Sequence, residues 1–161
     1  MDPEIIKGAY HEAGHALMAY YVRLPVESVK LLIENNLLIR GITKYDFANI
    51  DQDDPSNGFR RIVTLLGGPL SQNIYEGIQF IDLDRLGEDG ISIDSILSTM
   101  HPSDRSSLEL PRLIGSISNK LISGNYARAR QAIGSKLIGD HYIDQPDLNN
   151  LFDSFNLEQL Q

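Results

Sequence analysis

Apolar residues recur at helical spacing at the start of the chain. The positions are Ile5, Ile6, Ala9, Ala13, Ala16, Leu17 and Tyr20. Asp2 suits the N-cap of this helix, Pro3 its first turn and Glu4 its positive end. Because Pro25 follows, the pattern predicts a helix over about residues 3–23.

The pattern then changes from helical spacing to segments rich in β-forming residues. Two such segments are present, Val26 to Ile33 and Leu37 to Tyr45. Between them lies Asn35-Asn36, a pair typical of a tight hairpin turn. The segment predicts a small sheet over about residues 26–46.

Helical periodicity returns in the rest of the chain. It predicts helices over about residues 57–76, 91–100 and 111–139, and a short tail helix over about 147–157. Pro69 predicts a kink or break in the first of these, and Ser123-Gly124 is a candidate interruption of the long one. Gln79 to Gly90 is predicted to be an acidic loop. We therefore expect a single domain, residues 1–161, that is mainly α with a small β-sheet (α+β).

Composition narrows the function classes. The formal net charge is -8, which disfavours binding to the phosphates of nucleic acids. Without cysteine, disulfides and thiolate metal sites are impossible. No apolar run approaches the roughly 20 residues that span a bilayer, and the acidic start lacks a secretion signal. We expect a soluble, cytoplasmic protein with no membrane segment.

The first helix carries the segment His11-Glu12-Ala13-Gly14-His15. Histidines four residues apart lie on one helix face and can bind one ion. Zinc accepts imidazole nitrogen, and Glu12 between them can act as general base on a water that zinc activates. This is the H-E-x-x-H spacing of zinc peptidases.

The alternative interpretation of this motif is two surface histidines on an amphipathic helix. Gly14 argues against it, because glycine costs roughly 1 kcal/mol inside a helix and implies a close packing partner. A catalytic zinc also needs a third protein ligand. Met18 and Tyr21 stand where one peptidase class has Gly and His, which leaves a downstream Glu such as Glu76, or an Asp.

Several segments together resemble FtsH-type ATP-dependent zinc metalloproteases. They are Ala9 to Leu17, Gly41-Ile42-Thr43, Leu65 to Gly68, Ile74 to Gly77, Gly90 to Asp94 and Asn125 to Ala129. The similarity spans about residues 5 to 148 and is strongest at 9–17. It implies a zincin-like helical peptidase domain of FtsH type, without the AAA ATPase or the membrane anchor.

The resemblance also implies roles for individual residues. His11, His15 and Asp94 become ligands of Zn²⁺, and Glu12 becomes the catalytic base. Asp89 and Glu76 are the alternative third ligands, and the alternative interpretation of Asp94 is a helix N-cap or a solvated acid. His101 is a lesser candidate, better interpreted as a helix-end or surface histidine.

The chain departs from the family at three places. It has no Gly-x-x-x-x-Gly-Lys-Ser/Thr phosphate loop, Gln72 or Asn73 replaces a Glu after the Gly-Gly, and the loop before the ligand Asp is longer. This loop, over about 79–89, could cover the cleft.

The leading hypothesis is a zinc metalloendopeptidase that hydrolyses peptides or unfolded proteins without its own ATPase. The alternative is a catalytically weak or inactive peptidase-like binding or adaptor module. A purely structural zinc, closed by a fourth ligand such as Glu76 or Asp89, is a third hypothesis. The resemblance implies two modes of assembly, as a homo-oligomer or with a full-length ATPase relative.

Overall fold

The fold is that of a computed structural model, which describes residues 1–78 and 86–161. Helices dominate, and they accompany one small antiparallel sheet, as the α+β prediction requires. In chain order the elements are α1 Pro3–Tyr21, β1 Val26–Glu34, β2 Leu37–Tyr45, a 3-10 turn Phe47–Asn49, α2 Asn57–Glu76, α3 Gly87–Thr99, α4 Pro102–Ser107, α5 Leu110–Ile122, α6 Gly124–Asp140, β3 Tyr142–Asp144 and α7 Gln145–Ser154.

Helix α1 begins as its sequence predicts. The side chain of Asp2 accepts a hydrogen bond from the backbone N–H of Glu4 at 3.1 Å, and Pro3 occupies the first turn. The apolar stripe of α1 is buried against α2, α6 and one face of the sheet. The helix is therefore the central element of the core.

The sheet has the strand order β2-β1-β3, with antiparallel pairing throughout. Asn35 and Asn36 both adopt left-handed φ angles, of 51° and 63°, which is the geometry of a type I′ hairpin turn. The third strand was not predicted. Within residues 1–78 and 86–161, β2 pairs with β1 alone and is an edge strand.

Helix α2 runs unbroken through Pro69, so the predicted break does not occur. Pro69 removes one backbone donor, which leaves the carbonyl of Leu65 without its helical partner. Both residues line an open cleft, where water can satisfy that carbonyl. The helix ends at Gly77, whose φ of 72° closes the last turn in the left-handed conformation.

Helix α3 starts at Gly87, four residues before its predicted start at Ile91. The predicted loop, Gln79 to Gly90, is therefore wrong at its C-terminal end, and residues 79–85 lie outside the described residues. Glu88 and Asp89 occupy the first turn of α3, where acidic side chains favour the positive end of the helix.

The C-terminal half confirms one candidate feature and adds one helix. The long helix predicted over 111–139 is interrupted at the candidate position, Ser123-Gly124, because Ser123 has extended backbone angles and separates α5 from α6. Helix α4 was not predicted; its N-cap is His101, whose side chain accepts from the backbone N–H of Ser103. His101 is thus a helix-end residue, as its sequence context favoured.

Candidate metal centre

Two glycines set the distance between α1 and α2. A Cβ atom on Gly14 would lie 2.0 Å from the carbonyl oxygen of Gly67, and one on Gly67 would lie 2.4 Å from that of Gly14. Only glycine at both positions lets the backbones approach this closely. The close packing partner that the sequence predicted for Gly14 is therefore α2.

The close approach brings His11 and His15 of α1 against the next residue of α2, Gly68. The two Nε2 atoms lie 3.0 Å apart. Nitrogen ligands of a tetrahedral zinc ion, each bound at 2.0–2.1 Å, lie about 3.3 Å apart. A Cβ on Gly68 would lie 2.4 Å from Nε2 of His15 and 2.7 Å from that of His11, so only glycine leaves room for both rings.

The remaining ring nitrogens of the two histidines have acceptors. Nδ1 of His15 donates to the backbone carbonyl of Thr64 at 2.8 Å, and Nδ1 of His11 donates to Oε1 of Gln72 at 3.0 Å. A proton held on Nδ1 makes Nε2 the ligand nitrogen, as in the outer shells of zinc sites. Thr64 and Gly68 were not predicted as site residues. Gln72 was named only as one of two residues that stand where the FtsH-type segment has a Glu.

The carboxylate that reaches the histidines belongs to Asp89. Its Oδ2 atom lies 3.0 Å from Nε2 of His11 and 3.4 Å from Nε2 of His15. Asp89 shares a helix face with buried Ile93, because the two are one turn apart on α3. Asp89 was one of the alternative third ligands.

Asp94, the third ligand that the resemblance implied, is not brought to this cluster. It follows Ile93 by one residue, about 100° around the helix axis, and its side chain is exposed. It is not among the residues that line the cleft in front of the histidines. Among the described residues, the structure thus gathers Asp89 and not Asp94 with His11 and His15.

The carboxylate of Glu76, the other alternative ligand, contacts Lys7 and Gln72. Its Oε1 pairs with Nζ of Lys7 at 3.1 Å, and its Oε2 accepts from Nε2 of Gln72 at 3.1 Å. Gln72 therefore lies between Glu76 and His11.

Glu12 is buried beside the two histidines. Ligand-type atoms of His11, Glu12 and His15 all lie within 4.8 Å of one another. Oε2 of Glu12 accepts from Oγ1 of Thr43 at 2.6 Å, and a Cβ on Gly41 would lie 2.3 Å from its Oε1. The edge strand β2 thus holds the carboxylate by one hydrogen bond and leaves space for it at Gly41.

The charges of this cluster favour a cation. Burial lowers the pKa of His15, but the hydrogen bond to Asp89 and the charges of Glu12 and Asp89 outweigh it and raise the pKa to about 9. Burial raises the pKa of Asp89, and the bonds to both histidines outweigh this and hold it well below its usual range. Positive charge is therefore stabilised between the carboxylates.

A cleft of about 560 Å³ opens in front of the cluster. Its walls come from α1, β2, α2 and the start of α3, and the lining includes Leu38, Arg40, Tyr45, Glu88 and Lys7. With the residues that the structure describes, a metal ion held by the histidines and Asp89 would therefore keep an open side. That open side distinguishes the arrangement from a closed structural zinc site.

The outer edge of β2 faces this cleft, and no strand within residues 1–78 and 86–161 pairs with it. The N–H of Leu31 donates to the carbonyl of His141 at 2.8 Å, so Leu31 directs its backbone groups toward the β3 side. Val29, two residues earlier on β1, directs its backbone groups to the same side as Leu31. The residues of β2 opposite these two, Gly41 and Thr43, must then direct their backbone N–H and C=O groups away from β1. These groups can pair with an extended peptide.

The donor set fits zinc better than it fits a hard cation such as magnesium. Two imidazole nitrogens and one carboxylate oxygen, with Nδ1 of each ring bonded to an acceptor, are ligands that zinc prefers, whereas magnesium prefers oxygen.

No protein-family model matches this chain, and a search of curated proteins found no match either. Within the described residues, none of the helices combines the length and the apolar character that crossing a bilayer requires.

Proposed function

We propose that this chain is a zinc-dependent endopeptidase of the FtsH-type zincin fold, with the metal held by His11, His15 and Asp89. One observation carries the proposal. Two Nε2 atoms and one carboxylate oxygen converge within 3.4 Å of one another, beside the buried carboxylate of Glu12 and an open cleft. The resemblance of the H-E-x-x-H helix and its neighbouring segments supports the same function.

Zinc, when bound, would supply a Lewis acid and lower the pKa of a water molecule. Glu12 accepts the proton of the attacking water as its hydroxide adds to the peptide carbonyl carbon. Glu12 then gives that proton to the leaving amine as the C–N bond breaks. The hydrogen bond from Thr43 orients the carboxylate for both transfers.

Tyr45 follows Thr43 by two residues and lies on the same face of β2, in the wall of the cleft. Burial, with the charges of Glu12 and Asp89, raises the pKa of its hydroxyl well above the ordinary value. The hydroxyl therefore stays protonated, and it can donate to the carbonyl oxygen on which negative charge develops.

The substrate is an extended peptide or an unfolded segment of a protein. It would add to the outer edge of β2 through the backbone groups of Gly41 and Thr43, which lie on the strand that holds Glu12. A folded protein cannot present such a strand to the cleft, so the substrates are peptides and chains that are already unfolded.

The test compares the wild type with Glu12→Gln in zinc content and in cleavage of a mixture of unstructured peptides. We expect one zinc per chain in both proteins, and cleavage only in the wild type. Glu88→Gln is the matched control, because Glu88 is an exposed acid of the same cleft and should keep its activity. Cleavage that survives Glu12→Gln would sink the proposal. Zinc binding without turnover by the wild type would favour the binding-module alternative.

A further inference from the structure

Beyond Glu12 and Asp89, a third carboxyl group, that of Glu76, is joined to His11 through Gln72. We propose that Gln72 and Glu76 are positioning residues, which together hold His11 with its proton on Nδ1 and its Nε2 lone pair facing the zinc site. The inference rests on the proposed function, since it concerns the same centre.

The Glu76 carboxylate fixes the orientation of the Gln72 amide. The amide has one accepting end and one donating end, while a carboxylate only accepts. Nε2 of Gln72 therefore faces Oε2 of Glu76, at 3.1 Å, and Oε1 of Gln72 faces Nδ1 of His11, at 3.0 Å. A flipped amide would set two oxygens against each other at Glu76.

This orientation in turn determines the tautomer of His11. Oε1 of Gln72 can only accept, so Nδ1 of His11 must donate to it. With the proton on Nδ1, the lone pair of Nε2 faces Oδ2 of Asp89, 3.0 Å away, and a metal ion between the two atoms would satisfy both. His15 needs no such relay, because Nδ1 of His15 donates to a backbone carbonyl, that of Thr64, whose acceptor character is fixed.

Lys7 completes the relay at the rim of the cleft. Its Nζ lies 3.1 Å from Glu76 and 2.8 Å from Glu4. The ion pair directs one oxygen of Glu76 toward Lys7 and leaves the other for Gln72. A neutral amide, oriented by an ion pair, thus holds the ring of His11.

The experiment measures zinc affinity by competition with a chromophoric chelator in four variants. We expect Gln72→Leu to weaken zinc binding by about 10–100-fold, the usual cost of losing an outer-shell partner. Glu76→Gln should weaken it by several-fold, because the Gln72 amide can then flip. The double variant Gln72→Glu/Glu76→Gln exchanges the two groups and keeps every bond direction, so it should bind zinc at least as tightly as the wild type. Gln131→Leu, an exposed glutamine on α6, is the control and should change nothing.

A second measurement reports the tautomer directly and needs no activity. Long-range ¹H–¹⁵N spectra of the metal-free Asp89→Ala protein, recorded in alkaline buffer, show which ring nitrogen carries the proton when the carboxylate of Asp89 does not compete for it. In this background we expect the proton of His11 on Nδ1 when Gln72 and Glu76 are kept or exchanged, and a mixture when Glu76→Gln is added. Thermal unfolding checks that each variant folds.

Two results would overturn the inference. One is a His11 in the Asp89→Ala protein that carries its proton on Nε2 although Gln72 and Glu76 are intact. The other is a double variant that binds zinc as weakly as Gln72→Leu. Both are independent of peptide cleavage, so a failure here is distinguishable from a failure of the proposed function.

Discussion

Replacing Gly68 by alanine tests whether the space between the two histidines is a metal site. The new Cβ would lie 2.4 Å from Nε2 of His15 and 2.7 Å from Nε2 of His11. Carbon and nitrogen atoms that do not bond need about 3.5 Å, so at least one ring must move by about 1 Å.

The rings cannot absorb this movement without losing their partners. His15 is fixed by the carbonyl of Thr64 and His11 by Gln72, and zinc tolerates errors of only about 0.2 Å in its ligand distances. A displacement of about 1 Å therefore exceeds what the site tolerates, and we expect zinc binding to weaken by more than about 100-fold.

The assay is calorimetric titration of the metal-free protein with zinc, together with urea unfolding. Alanine favours the helical conformation by about 1 kcal/mol, which offsets part of the local crowding, so Gly68→Ala should fold. Gly115→Ala is the control, because Gly115 is also helical and no atom of residues 1–78 and 86–161 lies within 4 Å of the added Cβ. This variant should gain about 0.5–1 kcal/mol of stability without any change in zinc affinity. Zinc affinity within a factor of two of the wild type in Gly68→Ala would refute this site.

Three further predictions follow from the same geometry. Asp89→Asn should weaken zinc binding by at least about 100-fold in the same titration, whereas Asp94→Asn should leave it unchanged; the reverse result would restore Asp94 as the ligand. Gly14→Ala should lower the free energy of unfolding by about 2 kcal/mol or more in urea titrations, because its Cβ meets the backbone of Gly67; an unchanged midpoint would contradict the close crossing. Tyr45→Phe should lower kcat for peptide cleavage roughly 100-fold with little change in KM, and a change in KM alone would assign Tyr45 to binding.

Elements with local signals could be predicted from the sequence. Asp2-Pro3-Glu4 marks the start of α1, and Asn35-Asn36 marks the hairpin turn, because capping and left-handed turns depend on neighbouring residues. The H-E-x-x-H spacing likewise brings His11, Glu12 and His15 together, since one helix supplies all three.

Features that depend on distant parts of the chain could not be predicted. Strand β3 has three residues and pairs with β1 more than a hundred positions earlier in the sequence. Gly68 has no local signal as a site residue, since its role arises only where α2 crosses α1. The bond between Thr43 and Glu12 likewise requires the sheet to pack on the helix.

The choice between Asp89 and Asp94 depends on where α3 begins. The resemblance of the segment Gly90 to Asp94 identifies the third ligand by its position in the chain. In the fold, the third ligand is instead the carboxylate whose angle around the α3 axis turns it toward the histidines. Ile93 and Ile96 are buried, and extending their stripe one turn back from Ile93 reaches Asp89. Asp94 lies about 100° from that stripe and could reach the histidines only if α3 rotated and exposed both isoleucines. Burial of those two side chains stabilises the present rotation by roughly 3–5 kcal/mol, so the apolar face of α3 determines which carboxylate meets His11 and His15.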